Sequence, residues 1–269
     1  MGTYIRLVDY GSQQEKENAF LGAIENKNIS KIKFNPSSNN FSKIPGSPIA
    51  YWVNSSLLKS YTEAPALSNI SEPKQGLKTG DNDTFLRMWH EIILPKFSIF
   101  NSGNSKWFPC NKGGEYRKWY GNNDYVINWE NDGYKLKNFR HPDGRLKSRP
   151  QNLQYMKKEG LTYTNISSGN LAVRYSPKGF LFDAAGSMIF TDKERLLFLL
   201  AFMGCKVATL FTTITSPTMS FEVGQLSTIP VRIVRNMIID DLSQQSLEIS
   251  KTDWDSFETS WDFKKNPLV

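Results

Sequence analysis

The sequence predicts a fold that mixes short β-strands with α-helices, and three observations carry that expectation. Ser12-x-x-Glu15 is a capping box placed before apolar residues at helical spacing. Thr191-x-x-Glu194 is a second one, ahead of a long apolar run. Two alternating runs, 170–175 and 180–183, flank Ser176-Pro177-Lys178-Gly179, a turn signal that predicts a hairpin.

Taken in order, 4–9 (YIRLVD) alternates as a short strand and Gly11 breaks it. The helix opened at Ser12 presents Ala19, Phe20, Ala23 and Ile24 as its apolar face. Residues 35–48, rich in Pro, Ser, Asn and Gly, read as a linker. Residues 57–61 continue as a short helix, and 67–73 approach the loop KQGLKTGDND as a strand. Phe85, Met88, Trp89, Ile92 and Ile93 fit a helical period, whereas the short distance to Pro95 suits a strand, so both readings stand. The helix opened at Thr191 runs to about Ile214 and is apolar almost all round, which implies burial from several sides. Thr215-Ser216-Pro217 stops it, LSTIPV then reads as a strand, and from Arg232 onward a helix precedes an acidic arm containing Trp254 and Trp261. Three segments result: a strand-helix piece and linker over 1–45, a main domain over 46–231, and a helix with its arm over 232–269.

Charge is concentrated in one place. Between residues 107 and 158, eleven Lys and Arg face five Asp and Glu, so this stretch holds +6 of the chain's net +7. Aromatics and many amides are threaded through it, an inventory suited to gripping phosphates and reading base edges. An isoelectric point near 9.2 favours a polyanionic partner. The longest apolar run, 196–205, is shorter than the roughly 20 residues a membrane helix needs, and the first thirty residues do not read as a secretory leader. With Cys110 and Cys205 in unrelated contexts, a reducing cytoplasm is the simplest compartment.

Catalytic patterns are sparse. The two histidines, His90 and His141, do not stand in a triad pattern, Cys and His do not cluster at zinc spacing, and neither a phosphate-binding loop nor a dinucleotide fingerprint occurs. Asp9 with Glu25 and Lys27 has the form of a metal-dependent nuclease, as nominally does Glu72-Pro73-Lys74; Asp81 and Asp83 suit a cation or, more simply, a turn. Methyl transfer to adenine needs an Asn/Asp-Pro-Pro-Tyr/Phe segment, and the nearest string is Asn35-Pro36-Ser37-Ser38.

Six strings carry a resemblance: IPGSPIAYWV (44–53), EPKQGLKTGDNDTFLRMW (72–89), KWFPCNKGGEYRKWYGNN (106–123), NWENDGYKLKNF (128–139), SRPQN (148–152) and DWDSFETSWDF (253–263). Together they resemble the C-terminal target-recognition region of the PglX family, the adenine-specific DNA methyltransferases of BREX phage-defence systems. Residues 70–231 further resemble, more loosely, target-recognition domains of type I specificity subunits, through Gly76 to Asn82 (Gly-x-x-Thr-Gly-x-Asn), a closing helix and Ile229-Pro230. The resemblance implies an α+β fold with a twisted, largely antiparallel sheet. It implies duplex DNA as partner, with methylation performed by a catalytic domain in cis or in trans that uses S-adenosylmethionine, while this chain alone is no enzyme and holds neither cofactor nor metal. Other defence-system proteins are further partners it suggests, and membranes are not.

In this reading Lys106, Lys112, Arg117, Lys118, Lys135, Lys137, Lys157 and Lys158 meet phosphates. Bases are read from two loops, by Lys74, Gln75, Lys78, Thr79 and Asn82 in the first and by Arg145, Arg149, Gln151 and Asn152 in the second, where Lys147 joins the DNA-binding set. Trp107, Trp119, Trp129 and Tyr134 are expected mostly in the core. Two alternatives remain, a nuclease built on Asp9, Glu25 and Lys27, and a protein-docking module that uses the acidic tryptophan tail.

Overall fold

The computed structural model describes residues 2–25, 32–100, 103, 105–216 and 218–268. It is an α+β chain in two compact units, Met1–Pro65 and Ala66–Val269.

In the first unit β1 (Tyr4–Ile5) is shorter than the alternation suggested, its ladder covering two residues with one further bond from Arg6 N–H to Ile32 C=O. Helix α1 (Gln13–Ile24) opens on the expected capping box, in which Ser12 accepts from Glu15 N–H and the Glu15 carboxylate accepts from Ser12 N–H at 3.0 Å. Its expected apolar face is largely uncovered: Ala23 is buried, while Phe20 and Ile24 are 42% and 56% exposed. Strand β2 (Lys33–Phe34) pairs antiparallel with β1. After a 3₁₀ turn at Ser38–Lys43 comes α2 (Ser55–Glu63), capped by the Asn54 side chain accepting from Leu57 N–H at 2.9 Å.

The second unit begins with β3 (Glu72–Lys74), α3 (Asn82–Phe85) and β4 (Leu86–Met88). Over 85–93 the strand reading holds at Leu86–Met88, which pairs with a neighbour; the helical turn capped by Asp81 ends at Phe85, and Trp89–Glu91 is a 3₁₀ turn. There follow β5 (Trp107–Asn111), β6 (Tyr125–Asn128), α4 (Glu130–Lys137), β7 (Gly160–Tyr163), β8 (Val173–Ser176), β9 (Leu181–Phe182), β10 (Met188–Phe190), α5 (Lys193–Met203), α6 (Lys206–Thr215), α7 (Val223–Leu226) and α8 (Met237–Asp255).

Two four-stranded sheets form, one ordered β3-β10-β7-β8 and antiparallel throughout, the other β4-β6-β5-β9 with only β5 and β9 parallel. One apolar cluster draws Met188 and Phe190 from the first sheet and Leu86, Cys110, Ile127, Leu181 and Phe182 from the second, with Trp129 and Leu136 around α4. Each such side chain contributes about 1.5–3 kcal/mol on burial, enough to lock the sheets together.

The expected hairpin over 170–183 does not form. Strand β8 pairs with β7 in the first sheet, and β9 pairs with β5 in the second, so the turn around Gly179 (φ +100°) carries the chain from one sheet to the other. Both segments are almost wholly buried, so neither has a polar face to dictate a hairpin register. The long apolar helix also differs. Asp192 rather than Thr191 is its cap, since Thr191 donates to Ile70 C=O, and the helix breaks at Gly204–Cys205 into α5 and α6, bent by 76°. No single described helix is long and apolar enough to cross a membrane. LSTIPV is not a strand: α7 ends at Leu226, and only Pro230 bridges, to Ala66.

Candidate nucleic-acid interface

The two loops read from sequence as base-contacting lie side by side. Lys78 N–H donates to Arg149 C=O at 3.0 Å and Arg149 N–H donates to Lys78 C=O at 2.8 Å, the mutual bonding of a directly opposed antiparallel pair. Opposed residues project from the same face of a ribbon. Here Lys78 and Arg149 are exposed, whereas their neighbours Leu77, Thr79 and Ser148 are buried at 0%, 4% and 5%. Among the described residues neither cationic side chain has a hydrogen bond or ion pair.

The ribbon is held tightly. Gln151 Nε2 donates to Gly76 C=O at 2.5 Å and to Gln75 Oε1 at 3.3 Å, and Asn152 Nδ2 donates to Gln75 C=O at 2.9 Å. Thr79 Oγ1 donates to Asn82 Oδ1 at 2.7 Å. Gly80 (φ +75°) is required where it stands, because a β-carbon would lie 2.4 Å from Lys147 C=O. Thus Gln75, Thr79, Gln151 and Asn152 spend polar atoms on holding the ribbon, while Lys78 and Arg149 project from it.

Several other cations have carboxylate or aromatic partners. Lys74 pairs with Glu72 at 3.2 Å and lies over the Tyr155 ring; Glu72, held by the Tyr155 hydroxyl and then by Lys74, has its carboxyl pKa lowered. Arg145 reaches Asp143 at 2.7 Å, and Lys147 lies over Phe139 and 3.6 Å from Asp81. Lys112 pairs with buried Asp183, whose other oxygen accepts from the N–H groups of Ala185 and Gly186. Lys112, Asp183 and Ala185 line, with residues 77–82, a cleft of about 380 Å³. No aromatic ring lines it.

Arg117 and Lys118 are placed elsewhere. Arg117 pairs with Asp253 at 3.2 Å and covers the Trp254 ring at 5.0 Å, and Lys118 Nζ donates to Gly204 C=O at 2.6 Å, so both fasten the 113–121 loop to the helical layer. Behind them Arg174 is 1% exposed, its guanidinium donating to Arg117 C=O, Gly113 C=O and Thr164 Oγ1; burial pulls its pKa down to about 10. It stays charged at neutral pH and props that loop from beneath. Burial likewise raises the Asp124 carboxyl against the pull of Arg117 and Arg174.

The aromatics divide. Trp129 is buried and Trp107 and Trp119 are half-buried, but Tyr134, expected in the core, is 69% exposed. Its place follows from a left-handed turn over Asn131, Asp132 and Gly133, whose signal in the sequence was the Asn-Asp-Gly run. In the tail, Trp254 is buried beside Tyr120 and Leu247, and Trp261 packs on Phe97 and Phe180. Both rings therefore cover this chain's own core, which removes the feature that suggested docking through them. Of the nuclease candidates Lys27 lies outside the described residues, and no three His, Cys, Asp or Glu groups among the described residues are placed to hold a metal.

Fold and surface together define an α+β module in which a single backbone bridge sets two exposed cations, Lys78 and Arg149, side by side. No family model matches the chain. Over its whole length it is 41% identical, across 277 aligned residues, to the adenine-specific methyltransferase PglX of Lacticaseibacillus casei (strain Zhang). Over 99% of its length it is 40% identical to the adenine-specific methyltransferase BrxX of Escherichia coli O9:H4 (strain HS). It spans 23% and 21% of those proteins, so it is a homologue of one segment of the PglX and BrxX methyltransferases, as the strings in its sequence indicated.

Proposed function

We propose that this chain is a DNA sequence-recognition module serving an adenine-specific methyltransferase of a BREX-type phage-defence system. It binds duplex DNA and directs methylation by a catalytic domain that binds S-adenosylmethionine elsewhere. The observation that carries the reading is the Lys78–Arg149 pair, two unpartnered cations side by side on a ribbon whose opposite face is buried. In the major groove an arginine fork matches the O6 and N7 acceptors of guanine. Lys78, lacking a planar fork, is the better phosphate contact. The relationship to enzymes named adenine-specific methyltransferases supports DNA as the partner.

The test is anisotropy titration of the chain against a random-sequence duplex, then selection from a pool. Enrichment of a short motif is expected. Arg149→Ala should cost about 1–3 kcal/mol on that motif and relax one position. Equal loss on every sequence would make Arg149 a phosphate contact, and no salt-sensitive binding by the parent would reject the reading.

A further inference from the structure

Residues 131–133 are the longest run of left-handed backbone among the described residues of the second unit. Asn131, Asp132 and Gly133 have φ of +50°, +55° and +72°, three successive left-handed residues where two carry side chains. Such a conformation costs energy at each non-glycine position and persists only where its surroundings over-determine it. They do so here. Gly133 N–H donates to Trp129 C=O at 3.1 Å, and Trp129 Nε1 donates to Asp132 Oδ1 at 3.2 Å. Lys137 Nζ reaches the other Asp132 oxygen at 2.6 Å while lying over the Trp129 ring. A β-carbon at Gly133 would lie 2.7 Å from that ring.

The turn rotates the next two residues outward. Tyr134 is 69% exposed, and Lys135 beside it is exposed with no ion pair or hydrogen bond from its side chain among the described residues. Leu136, two positions on and nearly opposite around the helix, is fully buried, which keeps the tyrosine from folding back. This short helix is joined to the ribbon: Ser148 Oγ donates to Leu136 C=O at 2.6 Å and Lys147 N–H to Phe139 C=O at 2.8 Å, one and two residues from Arg149. An exposed aromatic ring with a free cation beside it, on a backbone turn fastened to the segment that carries Arg149, is placed to stack.

Resting on the DNA-recognition reading above, we propose that Tyr134 stacks its ring on a nucleobase displaced from the stack of the bound duplex next to the footprint of Lys78 and Arg149, with Lys135 holding the adjoining phosphate. Base–aromatic stacking has the magnitude to matter and uses the ring rather than the hydroxyl.

The test compares the parent, Tyr134→Ala, Tyr134→Phe and Arg149→Ala on the duplex enriched by the parent, with 2-aminopurine placed in turn along it. Tyr134→Ala should bind about 5- to 150-fold more weakly, the span of one base–aromatic stack, with an unchanged melting temperature because the ring is exposed. Tyr134→Phe should restore affinity, and one 2-aminopurine position should change emission on binding in the parent and the Phe variant but not in the Ala variant. Unchanged affinity in Tyr134→Ala, or failure of Phe to restore it, overturns stacking while leaving the ribbon intact. Absence of binding by the parent overturns the DNA reading and this inference with it.

Discussion

Gly133 shows how much a single residue decides. Its φ of +72° and the Trp129 ring at 2.7 Å from a would-be β-carbon leave room for no other residue. Gly133→Ala should therefore lose about 2 kcal/mol or more, read as a fall in Tm of roughly 4–8 °C. Asp124 is the titrating counterpart. Burial raises its folded-state pKa above the unfolded value, so stability is greatest below the unfolded value, near 3.9, and declines as pH rises through the folded one. Asp124→Asn should accordingly raise Tm by a few degrees at about pH 7 and by less at about pH 3.5, and equal gains at both would refute the burial account. Some of this was legible in the residues: Asn-Asp-Gly announces a turn and Ser12-x-x-Glu15 a cap. That Tyr134 faces solvent was not, because an aromatic among Trp, Leu and Phe looks apolar whichever way a left-handed turn rotates it.

At the scale of the element, the two candidate loops were found by composition, and their juxtaposition was not. Lys78 and Arg149 are seventy-one positions apart, and only the backbone pairing between them makes one ribbon of two loops. The same pairing separates roles that looked alike in the sequence, since Gln151 and Asn152 brace the first loop while Arg149 stays free. Helix α8 explains a further separation. Lys118, one lysine among many in a basic stretch, donates to Gly204 C=O, and Ser250 of α8 donates to Lys118 C=O at 3.2 Å. Lys118→Ala should lower Tm, by thermal melt, and leave DNA affinity per unit of salt unchanged. The failed hairpin belongs here as well: β8 and β9 are buried strands, and for these the partner is chosen by the core rather than by a turn signal.

Across the whole molecule the net charge of +7 makes a salt-dependent affinity for polyanions the natural expectation, but its distribution sorts the cations. Many are held by carboxylates or aromatic faces, so the slope of affinity against salt should report few of them. Lys78→Ala should flatten that slope by about 0.9, the contribution of one phosphate contact; an unchanged slope would place Lys78 on a base edge or off the DNA. Identity of 40–41% to two methyltransferases across the chain, which itself spans less than a quarter of each, matches the strings from which the relationship was read.

By itself the sequence determined the α+β class, the capped start of the first helix, the relationship to these methyltransferases and the two loops rich in cations and amides. Such features are local, set by side-chain chemistry over a few neighbouring positions. Only the tertiary structure decided which cations are free, which sheet each buried strand joins, where the long apolar helix bends and that Lys78 stands beside Arg149. Those outcomes depend on contacts between residues far apart in the chain, where the need to bury apolar area and to satisfy every backbone N–H and C=O group selects one arrangement among many that local pattern permits.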